Sequence, residues 1–310
     1  MRYKNLIILV TASMFLASCM KSSVETTQTA KAHDCPAIKG VGEVLDNPLP
    51  RVIVLGELHG MDGPPSFAQA LVCHSLARGK KTALGFEMSD DADGTINTYL
   101  LSNGDEAAKE ALFKLGMWTN SFTDGRSSEA MLDLLNFARL QAKQRNENFK
   151  SFLFQETDAD WTLYESNPKA VLQANELGMA TNILNFSNSG AFDKTIVLVG
   201  NLHAKRAKNA FGSNDYDYMA THMLNPETVT LSNVYTSGTA WNCMGSPSGE
   251  TVCGESETQG NVDAASELAK TEGYAVVISE TPPSGYDGVF YVGSAKASPP
   301  ANMDGRVADK

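Results

Sequence analysis

Apolar residues fall along the chain in short continuous runs, separated by stretches in which they recur every three or four positions. RVIVL (51–55) is branched and apolar and stops at Gly56, the pattern of a strand buried on both faces. Pro64 and Pro65 then suit the first turn of a helix that carries Phe67, Leu71, His74 and Arg78 on one side and ends at Gly79. KTALGFEM (81–88) reads as a second strand, and two short helices are predicted between Asp93 and Met117 with a break at SNGD (102–105). Ser127 is placed to cap a longer helix in which Met131, Leu134, Leu135, Ala138 and Ala142 share a face. SFLFQ (151–155) is a third strand, Asn167-Pro168 opens a helix running through Phe186, and KTIVLVG (194–200) is a fourth strand.

This alternation predicts an α/β domain in three layers, with a largely parallel central sheet and helices on both faces. Past residue 225 the pattern changes to VTLSNVYTS, a cysteine-bounded Gly/Ser/Pro-rich turn, a short helix near 262–271, and the runs YAVVISE and YDGVFYVG. These extend the same sheet, with antiparallel pairing admitted. The last stretch, 294–310, is small, polar and proline-containing, and reads as a disordered tail behind a single domain over 35–293.

The N-terminus changes the picture. Arg2 and Lys4 precede an apolar stretch from Leu6 to Leu16, too short for a spanning helix and typical of an export leader over 1–18. Leu16-Ala17-Ser18-Cys19 resembles a bacterial lipobox, which implies acylation of Cys19, and residues 19–34 have the polar, aperiodic character of a flexible tether. Met20 rather than an aspartate after that cysteine leans toward the outer membrane of a Gram-negative envelope. The formal charge of −11, two units more negative without Arg2 and Lys4, disfavours a nucleic-acid partner. Beyond Cys19 an even number of cysteines remains in an exported chain. Cys243 and Cys253 bracket the turn and are favoured as one pair, leaving Cys35 to join Cys73, with a free thiol at Cys73 as the rival reading.

Ligands collect beyond the carboxyl ends of parallel strands, and three of the predicted strands end in polar groups. The first gives Gly56-Glu57-Leu58-His59, the second Gly85-Phe86-Glu87, and the fourth Gly200-Asn201-Leu202-His203. In extended backbone Glu57 and His59 share a side. Two imidazoles and one or two carboxylates are what a divalent transition metal needs, and the expected metal ligands are His59, Glu87 and His203. His74 is expected in the core, and His33 and His222 have no spacing that argues for chemistry.

VIVLGELHGMDGPPSFAQALVCHSLARGKKTALGFEM together with INTYL and IVLVGNLHA is similar to the erythromycin esterase/ChaN/Tiki superfamily. That superfamily includes hydrolases, metal-dependent proteases and haem-binding surface lipoproteins. The resemblance spans about residues 51–225 and implies that Glu57, His59, Glu87 and His203 form the site. Where ChaN-like sequences carry further histidine and esterase-like ones an arginine, this chain has MDGPPSFAQ. A tethered hydrolase of an ester or amide, metal-assisted or with His59 activating water directly, is the leading expectation, its ligand a small molecule or peptide. The alternative is a non-enzymatic haem- or iron-binding lipoprotein, with Lys205, Arg206 or Lys208 near the propionates and a tyrosine such as Tyr216 as axial ligand. No G-x-S-x-G, H-E-x-x-H, P-loop, C-x-x-C-H or dinucleotide fingerprint is present.

Overall fold

The computed structural model describes residues 35–90, 94–119, 124–155, 157–208, 215–223, 226–245, 251–263, 266–281 and 283–302. The leader, Cys19 and the tether with His33 lie outside the described residues. The elements run β1 (Ile38–Lys39), α1 (Gly42–Leu45), β2 (Val52–Glu57), α2 (Gly63–Ala77), β3 (Thr82–Phe86), α3 (Thr95–Leu101), α4 (Glu106–Leu112), α5 (Gly116–Thr119), α6 (Glu129–Arg145), β4 (Phe149–Leu153), α7 (Pro168–Asn188), β5 (Lys194–Gly200), β6 (Thr228–Val234), β7 (Ser237–Gly245), β8 (Thr251–Gln259), β9 (Tyr274–Ile278) and β10 (Gly288–Tyr291).

Eight strands make one sheet in the order β1-β9-β10-β6-β2-β5-β3-β4. Every neighbouring pair is parallel except β9 and β10, so β9 and β1 run against the other strands. Residues of alternate parity divide between two cores, as strand pleating requires. Ile53, Leu55, Leu84 and Leu198 pack with Phe67 and Leu71 of α2 and Leu134 and Leu135 of α6. Val52, Val54, Ala83 and Val197 pack on the other side with Met179 and Ile183 of α7. Both faces are therefore covered, which explains why these strands are continuous apolar runs rather than alternating ones.

The helices begin where short polar side chains relieve the unpaired N–H groups of a first turn. Asp105 accepts from Ala108 N at 3.0 Å and Asn167 from Ala170 N at 3.3 Å. Ser128, not its neighbour Ser127, caps α6, accepting from Met131 N at 3.4 Å. The strand expected over 151–155 runs Phe149–Leu153, because its register with β3 is set by Thr82 opposite Phe149.

Two expectations for the C-terminal third are corrected. Residues 262–271 form turns rather than a helix among the described positions; Ser266 N bonds Asp263 O and Thr271 N bonds Leu268 O, with no run of helical bonds between. The segment 294–302, expected to be disordered, is docked along its length. Ala295 and Ser298 are buried, and Ser298 N donates to Gly60 O (2.8 Å), Glu129 N to Pro299 O (2.8 Å) and Ala301 N to Ser127 O (3.0 Å). Main-chain bonds hold this strap, so a composition poor in apolar residues gave no sign of it.

The cysteine-bounded segment is the hairpin β7–β8, in which Cys243 stands opposite Cys253 and the two are joined; Cys35 is joined to Cys73 of α2. The latter closes a span of 38 residues. Replacing Cys35 and Cys73 together with alanine is expected to lower unfolding stability by about 3–4 kcal/mol through restored freedom of the unfolded chain, read as a lower denaturation midpoint at unchanged slope.

Candidate functional site

The order β2-β5-β3 places the last strand between the first two of the sequence pattern. Adjacent strands lie about 4.8 Å apart, so the carboxyl ends that carry Glu57, Gly200 and Glu87 are immediate neighbours. The backbone extends this join past the strands: Asn201 N donates to Glu57 O at 2.8 Å.

Five side chains form a continuous row at this edge. His59 Nδ1 lies 2.9 Å from Glu57 Oε1, and His59 Nε2 lies 3.6 Å from Glu87 Oε2. His203 Nε2 lies 3.7 Å from Glu87 Oε1, and its Nδ1 lies 2.8 Å from Glu176 Oε1. Each imidazole is thus oriented by its own outer carboxylate, while both Nε2 edges face the central one. Glu87 also accepts from Gly200 N at 2.7 Å and from the Arg126 guanidinium at 3.3 Å, and Arg126 is held in turn by Asp124 at 2.6 Å. Glu57, Glu87 and Glu176 are buried, whereas His59 and His203 keep 20% and 27% of their side-chain surface, so the rings are what a ligand would meet.

The backbone must come unusually close here. A Cβ on Gly200 would stand 2.9 Å from His59 Nε2 and 3.4 Å from His203 Cδ2, so only glycine leaves room for both rings. Gly125 (φ +94°) lies directly against Gly60, where a Cβ would be 2.1 Å from Gly60 N; this contact brings the Arg126 loop beside the His59 loop.

Charge balance follows the geometry. Burial opposes ionisation of Glu87, but His59, His203, Arg126 and the Gly200 N–H outweigh it and hold its pKa below the usual carboxylate range. Burial pulls His59 down, yet its bond to Glu57 and the nearby Glu87 push it up to about 9. His203 is raised for the same reason, with Glu176 as the leading cause against burial. Glu57 itself is pushed up by burial, against the pull of His59.

The expected residues Glu57, His59, Glu87 and His203 are therefore brought together. Glu176 was not anticipated. It lies on the buried side of α7 beside the stripe Val171, Asn175, Met179 and Ile183, and an acid on such a face was the available signal. Arg126 and Asp124 come from the loop before α6 and had no motif to mark them. Asn201 points to solvent and contributes main chain, its carbonyl accepting from the Tyr286 hydroxyl at 2.7 Å. Arg206 is committed to Asp287 and to the carbonyls of Thr228 and Met223, and the Lys205 stem passes along Gly285. Tyr216 is half-buried and packs edge-on against Tyr218; burial pushes its hydroxyl up to about 12. His74 is buried, its ring 2.8 Å from Pro36 O, and His222 contacts Gln173.

Of the expected metal ligands, His59 Nε2 and His203 Nε2 lie 3.6 Å and 3.7 Å from the Glu87 oxygens, and among the described residues no group of three or more His, Cys, Asp or Glu side chains is spaced to hold an ion. The Glu87 oxygens also take the Gly200 N–H and the Arg126 guanidinium.

No protein-family profile matches this sequence, and no curated protein matches it. Solved structures do. A Bacillus cereus protein aligns with a TM-score of 0.56 at 12% identity, over 89% of this chain and 95% of its own. A protein described as a succinoglycan biosynthesis protein aligns at 0.53 and 13%, over 80% and 89%. The erythromycin esterase EreC, as a histidine-to-asparagine mutant in its open conformation, aligns at 0.53 and 11%, over 82% and 92%. The chain shares its fold with these proteins, one of them a hydrolase.

The carboxylates around His59 make a prediction of their own. In an NMR titration its imidazole is expected to lose its proton near pH 9, and Glu57→Gln is expected to bring that midpoint down toward the ordinary histidine value near 6.5.

Proposed function

We propose that this chain is an envelope-tethered hydrolase that cleaves an ester or amide bond, with His59 as general base. The observation that carries the reading is the row Glu57–His59–Glu87–His203–Glu176, in which two outer carboxylates fix two imidazoles and leave both Nε2 edges at one accessible point. The fold shared with erythromycin esterase supports a hydrolytic class.

The geometry suggests the following steps. His59, once neutral, keeps its proton at Nδ1, donated to Glu57, and takes a proton from water at Nε2 as the water oxygen attacks the substrate carbonyl. The developing oxyanion is met by the Arg126 guanidinium, which stays protonated where His59 is neutral. The bond to the leaving group then breaks and that group takes the proton from His59 Nε2, restoring the resting pair. Glu87 stays ionised throughout and keeps the two rings apart at fixed positions. These steps are the metal-free version of the reaction, in which His59 itself activates water. For haem, the Arg206 considered for the propionates is paired with Asp287.

His59→Ala is expected to lower kcat/KM on a simple ester by about 10²–10⁴-fold without loss of the folded baseline in circular dichroism; retained turnover would remove the assignment. EDTA treatment is expected to leave the rate unchanged, and haemin to give no saturable Soret shift.

Activity and stability should respond to pH in opposite senses. General-base work needs neutral His59, so kcat/KM should rise as pH approaches and passes about 9. The folded-state pKa lies above the unfolded value of 6.5, so the stabilisation from the His59 ion pairs is complete below 6.5 and is lost as pH rises through about 9. Thermal midpoints measured across that window should fall while turnover climbs, and a decline in both would contradict the role given to His59.

A further inference from the structure

Beside the histidine row the edge opens into a cleft of about 390 Å³, and its walls differ in kind from a hydrophobic acyl pocket. Such a volume falls in the range of small-molecule sites, about 300–1,000 Å³, most of which are chiefly apolar. Here Ser89, Ser127, Gln155 and Asn175 line the space together with Glu87, Asp124 and Arg126, and beside Trp161 the apolar share of the wall comes from Met88 and Met117. Ser127 and Asn175 are buried at 3% and 6% exposure, so these are built walls rather than surface side chains leaning over a hollow. The Asn175 side-chain oxygen accepts from Thr157 Oγ1 at 3.0 Å, which fixes the amide.

Charge narrows the ligand. Glu87 and Asp124 face the cleft, and the one cation lining it, Arg126, is already paired with both. An anionic ligand would find the lining cation already engaged by two carboxylates, and a long alkyl chain would have to desolvate hydroxyl and amide groups without replacing their hydrogen bonds. A neutral molecule dense in hydroxyl groups meets neither penalty.

The mouth adds the second observation. Trp161 lines the cleft and remains 53% exposed, with Tyr164 beside it 43% exposed and their ring centroids 5.8 Å apart. An indole left open next to a polar cleft presents a flat apolar face where one face of a ligand can stack while its edges hydrogen-bond within. Sugar rings combine those properties: axial C–H groups on a face and hydroxyls around the rim.

We infer that the substrate carries a neutral carbohydrate unit, seated in this cleft against Trp161 with its ester beside His59 and His203. This rests on the hydrolase reading for the chemistry, but the sugar-binding part stands on the cleft alone.

The two are separated by measuring turnover and binding in parallel. For turnover, acetylated glucose, ethyl acetate and p-nitrophenyl octanoate are compared in the wild type and in Trp161→Ala. The sugar acetate should be the best substrate, and Trp161→Ala should raise its KM by about fivefold, a larger change than for ethyl acetate. For binding, the His59→Ala protein is titrated with maltotriose and with an acidic oligosaccharide by isothermal titration calorimetry. Saturable heat with maltotriose alone, abolished in the His59→Ala/Trp161→Ala double variant, is the expected result. Sugar binding without hydrolysis of any ester would leave the glycan site standing and remove the hydrolase. Ester hydrolysis with the octanoate preferred, or with no discrimination caused by Trp161→Ala, would overturn the carbohydrate inference and leave the hydrolase.

Discussion

Glu87 is an ionised carboxylate held in the body of the protein, and water has been taken from it at a cost that only close partners can offset. Those partners are His59, His203, the Arg126 guanidinium and the Gly200 N–H. They arrive from segments far apart in the sequence, so the charge is satisfied only when the ends of β2, β5 and β3 stand side by side and the loop before α6 folds over them. The same requirement fixes the glycines: Gly200 leaves the space in which two rings flank one carboxylate, and Gly125 lets the Arg126 loop touch the chain just after His59. Loss of any cationic partner would strand a buried negative charge, which ties the integrity of this edge to the chemistry it supports.

Much of this was readable in advance, and the boundary falls where physics says it should. Continuous apolar runs followed by glycine announced the buried parallel strands, since both faces of each must meet a helix layer. Their polar endings announced Glu57, His59, Glu87 and His203, because a strand end is where such groups gather. The insertion of β5 between β2 and β3 was not legible, for strand order depends on contacts between distant segments rather than on local pattern. Glu176 escaped because its neighbours gave α7 the look of an ordinary packed helix. The strap over 294–302 escaped for a different reason: it is held by main-chain hydrogen bonds, which any side-chain composition permits.

The proposed site divides into a reactive edge and a recognition cleft that meet at Glu87 and Arg126. The edge is built on strand termini and is rigid for that reason, whereas the cleft draws on the start of α6, on α7 and on the short turn bearing Trp161.

The strap also sets an order of events during biogenesis. Gly60, next to His59, has its carbonyl held by Ser298 N and by Trp241 N, one from near the end of the described chain and the other from the hairpin. A polypeptide delivered N-terminus first presents Glu57 and His59 early, but the loop that carries them gains its final anchor only after some 240 further residues have emerged. Truncated or still-emerging chains therefore carry the motif without its last constraint, and full assembly of this edge waits for the segment that carries Ser298.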